Sequence, residues 1–156
     1  MNEDTKKRRD YSWILDAKLA VGAAPTRYEV LERLGFSAAL SLQESREGGP
    51  EHNEIRRGFT RVQVPIRDGV VGGVPTVDQV ETAVTALRDL LADHVVYVHC
   101  YAGVGRSPLV CTAYLARFHA MSASEAIRFV QRQHPNADPT NGQLSTLKQF
   151  LDRAEA

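Results

Sequence analysis

Residues 95–108 read VVYVHCYAGVGRSP, an apolar run that ends in His99 and Cys100 and passes two glycines before Arg106, Ser107 and Pro108. The β-branched run suits a buried strand. Pro108 suits the first turn of a helix, where a missing N–H costs nothing. The stretch thus predicts a strand, a short loop holding Gly103 and Gly105, and a helix from about Arg106. Parallel α/β sheets place their ligand sites at such strand ends, where helices begin.

The alternation continues on both sides. WILDAKLAVGAAP (13–25) supplies short strands with a turn near Asp16. TRYEVLERLG (26–35) reads as a helix capped by Thr26, with Glu29 completing a capping box and Gly35 closing the end. FSAALSL (36–42) and FTRVQVPI (59–66) read as strands. Residues 43–58 form a polar surface loop with a short helix at 51–57, and 67–75 a glycine-bearing loop. A helix starts at Thr76, with Gln79 in capping-box relation, and two more start near Ser122 and Thr140. Strands alternating with helices predict an α/β fold with a central, largely parallel sheet of about four to five strands flanked by helices.

The chain has 156 residues, 43% of them hydrophobic and 24% charged, which suits one globular domain. Residues 1–10, with the basic run Lys6–Arg9, read as a flexible tail; 11–156 read as the domain. The 19 basic and 19 acidic residues cancel, so neither nucleic acid nor a membrane surface is expected as partner. No apolar stretch has the length of a membrane span, and a cytoplasmic monomer is the expectation. Cys111 lies eleven residues after Cys100, about 16 Å away at the 1.5 Å per residue of a helix, too far for a disulfide. His52, His94, His119 and His134 lack metal-ligand spacing, and no metal or cofactor is expected. Cys111, Tyr114, Phe118, Phe129 and Phe150 fall where packing explains them.

A lone cysteine ending a strand is usually a small core hydrophobe, and a lone Gly-x-Gly is usually a turn. Together with an arginine and a hydroxyl at this spacing they demand more. Backbone amides of Tyr101, Ala102, Gly103, Val104 and Gly105, aimed by a helix terminus, form a nest for a doubly charged oxyanion. The same surroundings favour the thiolate of Cys100. Arg106 brings a planar fork for two phosphate oxygens, and Ser107 a hydrogen bond to the sulfur. A thiolate beneath a bound phosphate is placed to attack phosphorus and form a phosphocysteine.

HCYAGVGRS (99–107) matches the signature His-Cys-five residues-Arg-Ser/Thr. The chain resembles the small atypical dual-specificity phosphatases of the cysteine-dependent protein tyrosine phosphatase superfamily. YSWILDAKLAVGAAP (11–25) and SEAIRFVQRQHPNADPTNGQL (124–144) are similar to the flanks of that group. The resemblance implies a dual-specificity phosphatase-like fold and a phosphorylated protein or peptide as substrate. Phosphotyrosine would be the better ester, with phosphoserine and phosphothreonine also accepted. It implies a general acid about thirty residues before the nucleophile, where Asp68 precedes Cys100 by 32. RDG is also an ordinary turn, and Glu44, Glu47 and Asp138 compete for the role. His99 would help hold the loop. Asn141 and Gln143 stand where related phosphatases keep polar groups that position water, although a helix cap also accounts for Asn141. Phosphoinositide and RNA 5′-phosphate hydrolysis, a non-catalytic phosphate-binding module and a sulfurtransferase remain as alternatives. Residues 101–105 contain no lysine or arginine, which argues against polyanionic inositol lipids.

Overall fold

The computed structural model describes residues 11–44, 47, 58–67 and 73–155. The basic tail, the expected helix at 51–57 and Asp68 lie outside the described residues. Five strands form one sheet: β1 (Tyr11–Leu15), β2 (Leu19–Gly22), β3 (Ala38–Ser41), β4 (Thr60–Gln63) and β5 (Val96–His99). Their order across the sheet is β1-β2-β5-β3-β4. β1 runs antiparallel to β2, and all other neighbours are parallel. The largely parallel sheet expected from the alternation of elements is therefore present.

Burial follows position in the sheet. β2, β3 and β5 are buried at all four residues, as strands covered on both faces must be, while edge strand β4 alternates. β5 is the middle strand. Its register sets Ser41 on β3 and Gly22 on β2 beside His99, so three strand ends surround Cys100.

The helices are α1 (Tyr28–Arg33), α2 (Val77–Leu91), α3 (Arg106–Phe118), α4 (Ala123–Gln133) and α5 (Asn141–Glu155). α3 is buried from Arg106 through Leu115 and packs against α2, α4 and α5. These helices and one face of the sheet enclose the main core, with Leu40, Val84, Val98, Leu109, Leu115 and Phe150 at its centre. A second, aromatic cluster lies around α1, where Tyr28, Leu31 and Phe36 pack with Ala20, Ala39 and Tyr97.

The Thr76–Gln79 capping box forms in full, and the Ser122 side chain accepts from the Glu125 N–H. One expected cap does not form. α1 starts one residue later than TRYEVLERLG suggests, with extended Arg27 at its N-cap and no side-chain capping bond. Glu29 pairs with Arg27 and Arg33 instead. Burial of Tyr28, fully enclosed in its first turn, sets this start. Gly35 ends the helix as expected, at φ 98°. Phe118 is also not core: it is 41% exposed at the end of α3, with the Arg88 guanidinium 5.8 Å from its ring centroid.

Candidate active site

Cys100 follows the central strand and is 2% exposed. Its Sγ lies 3.2 Å from Oγ of Ser107, which opens α3 with Arg106 and is fully buried. Cys111 is also a buried free thiol, and burial pushes its pKa up. It packs in the core, as its position on the helix suggests.

The loop between Cys100 and Arg106 is held by its carbonyls. Cys100 O lies 3.2 Å from His99 Nδ1, and Tyr101 O accepts from Ala24 N at 3.0 Å, just past β2. Gly103 O lies 2.9 Å from His134 Nε2. Val104 O accepts from Asp138 N at 2.7 Å, and Gly105 O from Leu109 N within α3 at 3.0 Å. In a trans peptide the N–H points opposite to the C=O, and the structure contains no cis peptide among the described residues. The amides of Tyr101, Ala102, Val104, Gly105 and Arg106 are therefore directed away from these tethers, toward the middle of the loop. That is the geometry of an anion nest.

Two glycines allow the loop to close. Gly103 has φ 73°, and a Cβ there would stand 2.6 Å from the Gly22 carbonyl carbon. A Cβ on Gly105 would meet the Gln143 amide at 2.8 Å. Gln143 thus packs beneath the loop, and its Oε1 also accepts from Thr140 N at 2.9 Å. Thr140 Oγ1 accepts from Gln143 N in return, so Thr140 caps α5. Asn141 stands exposed in the first turn and is not the cap.

Arg106 is 3% exposed, and its guanidinium is held by Glu47 and by main-chain carbonyls that follow β3 and β4. Nη1 and Nη2 donate to the two Glu47 carboxylate oxygens at 2.6 and 2.7 Å. Nη1 also donates to the Ile66 carbonyl at 3.1 Å and to that of Leu42 at 3.4 Å. The Glu47 carboxylate is held in turn by the Glu44 N–H at 2.8 Å. Both its oxygens accept from the guanidinium, so Glu47 is engaged with that cation. The sequence offered it as an alternative acid, and its contact with Arg106 was not foreseen.

His99 is fully buried, which pushes its pKa down to about 4; the nearby Arg106 and Arg61 charges act in the same direction. The ring is neutral. The Cys100 carbonyl only accepts, so Nδ1 carries the hydrogen, and Nε2 accepts from Tyr28 Oη at 2.9 Å. Burial also raises the Tyr28 pKa, which keeps that hydroxyl a donor. Tyr28 was not singled out from the sequence. An aromatic in an amphipathic helix carries no signal of a partner 71 positions away.

The structure thus brings together Cys100, Arg106, Ser107, His99, Gln143 and loop residues 101–105, and adds Glu47, Tyr28 and His134. Asp138 lies beside the loop through its main chain, with an exposed side chain. No group of three or more metal-ligating side chains clusters among the described residues.

The family model described as dual specificity phosphatase, catalytic domain, matches residues 19–153. The chain belongs to the dual specificity phosphatase family. It is similar to the bovine (Bos taurus) protein tyrosine phosphatase domain-containing protein 1, at 28% identity over 89% of this chain and 20% of that protein. The chain spans about a fifth of the length of that relative. It is also 28% identical to the human phosphatidylglycerophosphatase and protein-tyrosine phosphatase 1, over 93% of this chain and 75% of the relative. Among solved structures, Tk-PTP in its active form superposes on this dual specificity phosphatase domain with a TM-score of 0.79. The two share 28% identity, over 92% of this chain and 97% of the other. No helix among the described residues is long and apolar enough to cross a membrane.

Proposed function

We propose that this chain is a protein phosphatase that hydrolyses phosphotyrosine monoesters, and phosphoserine and phosphothreonine monoesters as well, through a phosphocysteine on Cys100. The reading rests on Cys100 Sγ at the base of a loop whose amides turn inward. The inward amides and Arg106 hold the phosphate oxygens. The thiolate attacks phosphorus in line; the S–P bond forms as the ester P–O bond breaks, and Asp68 protonates the departing oxygen. Ionised Asp68 then takes a proton from the water that attacks phosphocysteine. Phosphate leaves, and Ser107 stabilises the departing thiolate through its hydroxyl.

The loop side chains of Tyr101, Ala102 and Val104 are exposed, and none is charged. An uncharged rim with a 65% exposed tyrosine suits an aromatic leaving group better than a polyanionic inositol headgroup. A lipid phosphate is the second reading, supported by the human relative whose name includes phosphatidylglycerophosphatase.

The test is hydrolysis of a small aryl phosphate from about pH 5 to about pH 8, beside Cys100→Ser and Asp68→Ala. Wild type turns over and Cys100→Ser does not, while Asp68→Ala is slow and loses the fall in rate at high pH that an acid's titration imposes. Phosphotyrosyl peptides then exceed phosphothreonyl peptides and phosphatidyl phosphates in kcat/KM. A wild type no faster than Cys100→Ser overturns the catalytic reading.

A further inference from the structure

We infer that His134 is a positioning residue of the anion site, acting through the Gly103 carbonyl; this rests on the phosphatase reading above. His134 follows α4 and is 3% exposed. Its Nε2 lies 2.9 Å from Gly103 O, and its Nδ1 lies 2.7 Å from Ser12 Oγ on β1. A carbonyl only accepts, so Nε2 carries the hydrogen; in the neutral ring Nδ1 accepts from the Ser12 hydroxyl. This is the opposite tautomer to His99, which holds the Cys100 carbonyl through Nδ1. Two imidazoles thus tether two carbonyls of the same loop.

The Gly103 tether matters because of what it restrains. Glycine has wide backbone freedom, so residue 103 itself does little to fix the orientation of the 103–104 peptide. Turned over, it would aim a carbonyl oxygen, not the Val104 N–H, at the phosphate. His134 opposes that rotation. The imidazole is itself set by Ser12, and the neighbouring Gln133 Nε2 donates to Trp13 O at 3.2 Å. The edge strand β1 therefore reaches the anion nest through one side chain.

The test measures inhibition by orthovanadate, well below the unfolding midpoint of each variant, with kcat and KM for an aryl phosphate. His134→Ala is expected to weaken vanadate about tenfold. His134→Gln, whose amide nitrogen takes the place of Nε2, returns affinity to within about threefold of wild type, and Ser12→Ala loses about threefold. Vanadate inhibition of His134→Ala equal to wild type overturns the inference, as does a folded His134→Gln no better than alanine. Should alanine fail to fold, Gln is compared with Asn, whose shorter amide reproduces Nδ1 instead; equal affinities overturn the inference. A wild type that neither binds vanadate nor turns over overturns the phosphatase reading itself.

Discussion

Glu47 and Arg106, 59 positions apart, meet as a bidentate ion pair at 2.6 and 2.7 Å, with little of either side chain exposed. The pair adds to the Leu42 and Ile66 carbonyls in orienting the cation. Glu47→Gln keeps the shape and removes the charge. We expect vanadate affinity and kcat/KM to fall about tenfold, with stability lower by about 2 kcal/mol, below the full cost of breaking a buried pair because Leu42 and Ile66 still accept. Enzyme kinetics and urea unfolding of the variant decide it. Unchanged kinetics would mean that the carbonyls suffice.

His99 gives a pH signature. Its folded pKa of about 4 lies below the ordinary 6.5, so between those values the unfolded chain takes up a proton that the folded chain refuses. Its contribution to stability is therefore complete above about 6.5, falls as pH is lowered through the window, and levels off below about 4. At 1.36 kcal/mol per pH unit the loss is on the order of 3 kcal/mol. Urea midpoints at several pH values should show a shallower dependence in His99→Asn. An equal slope in both proteins would place the proton uptake elsewhere.

Tyr28→Phe removes the donor to His99 Nε2 and leaves a buried acceptor without its bond. The expected loss is about 1–3 kcal/mol, read as a lower unfolding midpoint. Since His99 also tethers the Cys100 carbonyl, kcat/KM should fall several-fold while His99→Phe falls further.

The two loop glycines should differ in tolerance. Gly103→Ala forces a Cβ against the Gly22–Ala23 backbone at a positive φ, and neither can yield. Activity should be lost, with destabilisation above about 2 kcal/mol. Gly105→Ala meets first the amide end of a side chain, that of Gln143, so it should retain partial activity, and Gly105→Ala with Gln143→Ala should recover more. A double variant no better than the single one would show that Gln143 is not what Gly105 accommodates.

What the sequence disclosed was what lies close together in it. The strand, the nest, Arg106 and Ser107 fall within a dozen residues, and the periodicity of 76–91 and its capping box follow local rules. Glu47, Tyr28 and His134 reach the loop from 59, 71 and 31 positions away, and no local pattern marks such partners. The assignment of Asp68 comes from the family resemblance and from its place before a glycine-rich segment. Thr26 looked like a cap because capping residues are recognised locally, whereas the start of α1 is set by burial of Tyr28.

The loop turns Tyr101, Ala102 and Val104 outward, so on the proposed reading, in which main-chain groups bind the phosphate, gripping the phosphate and choosing its ester are carried by separate parts of the same residues. Those three side chains are free to mutate without touching the nest. A lineage could therefore exchange one phosphorylated substrate for another by surface substitutions at the rim, while the catalytic apparatus stayed intact throughout.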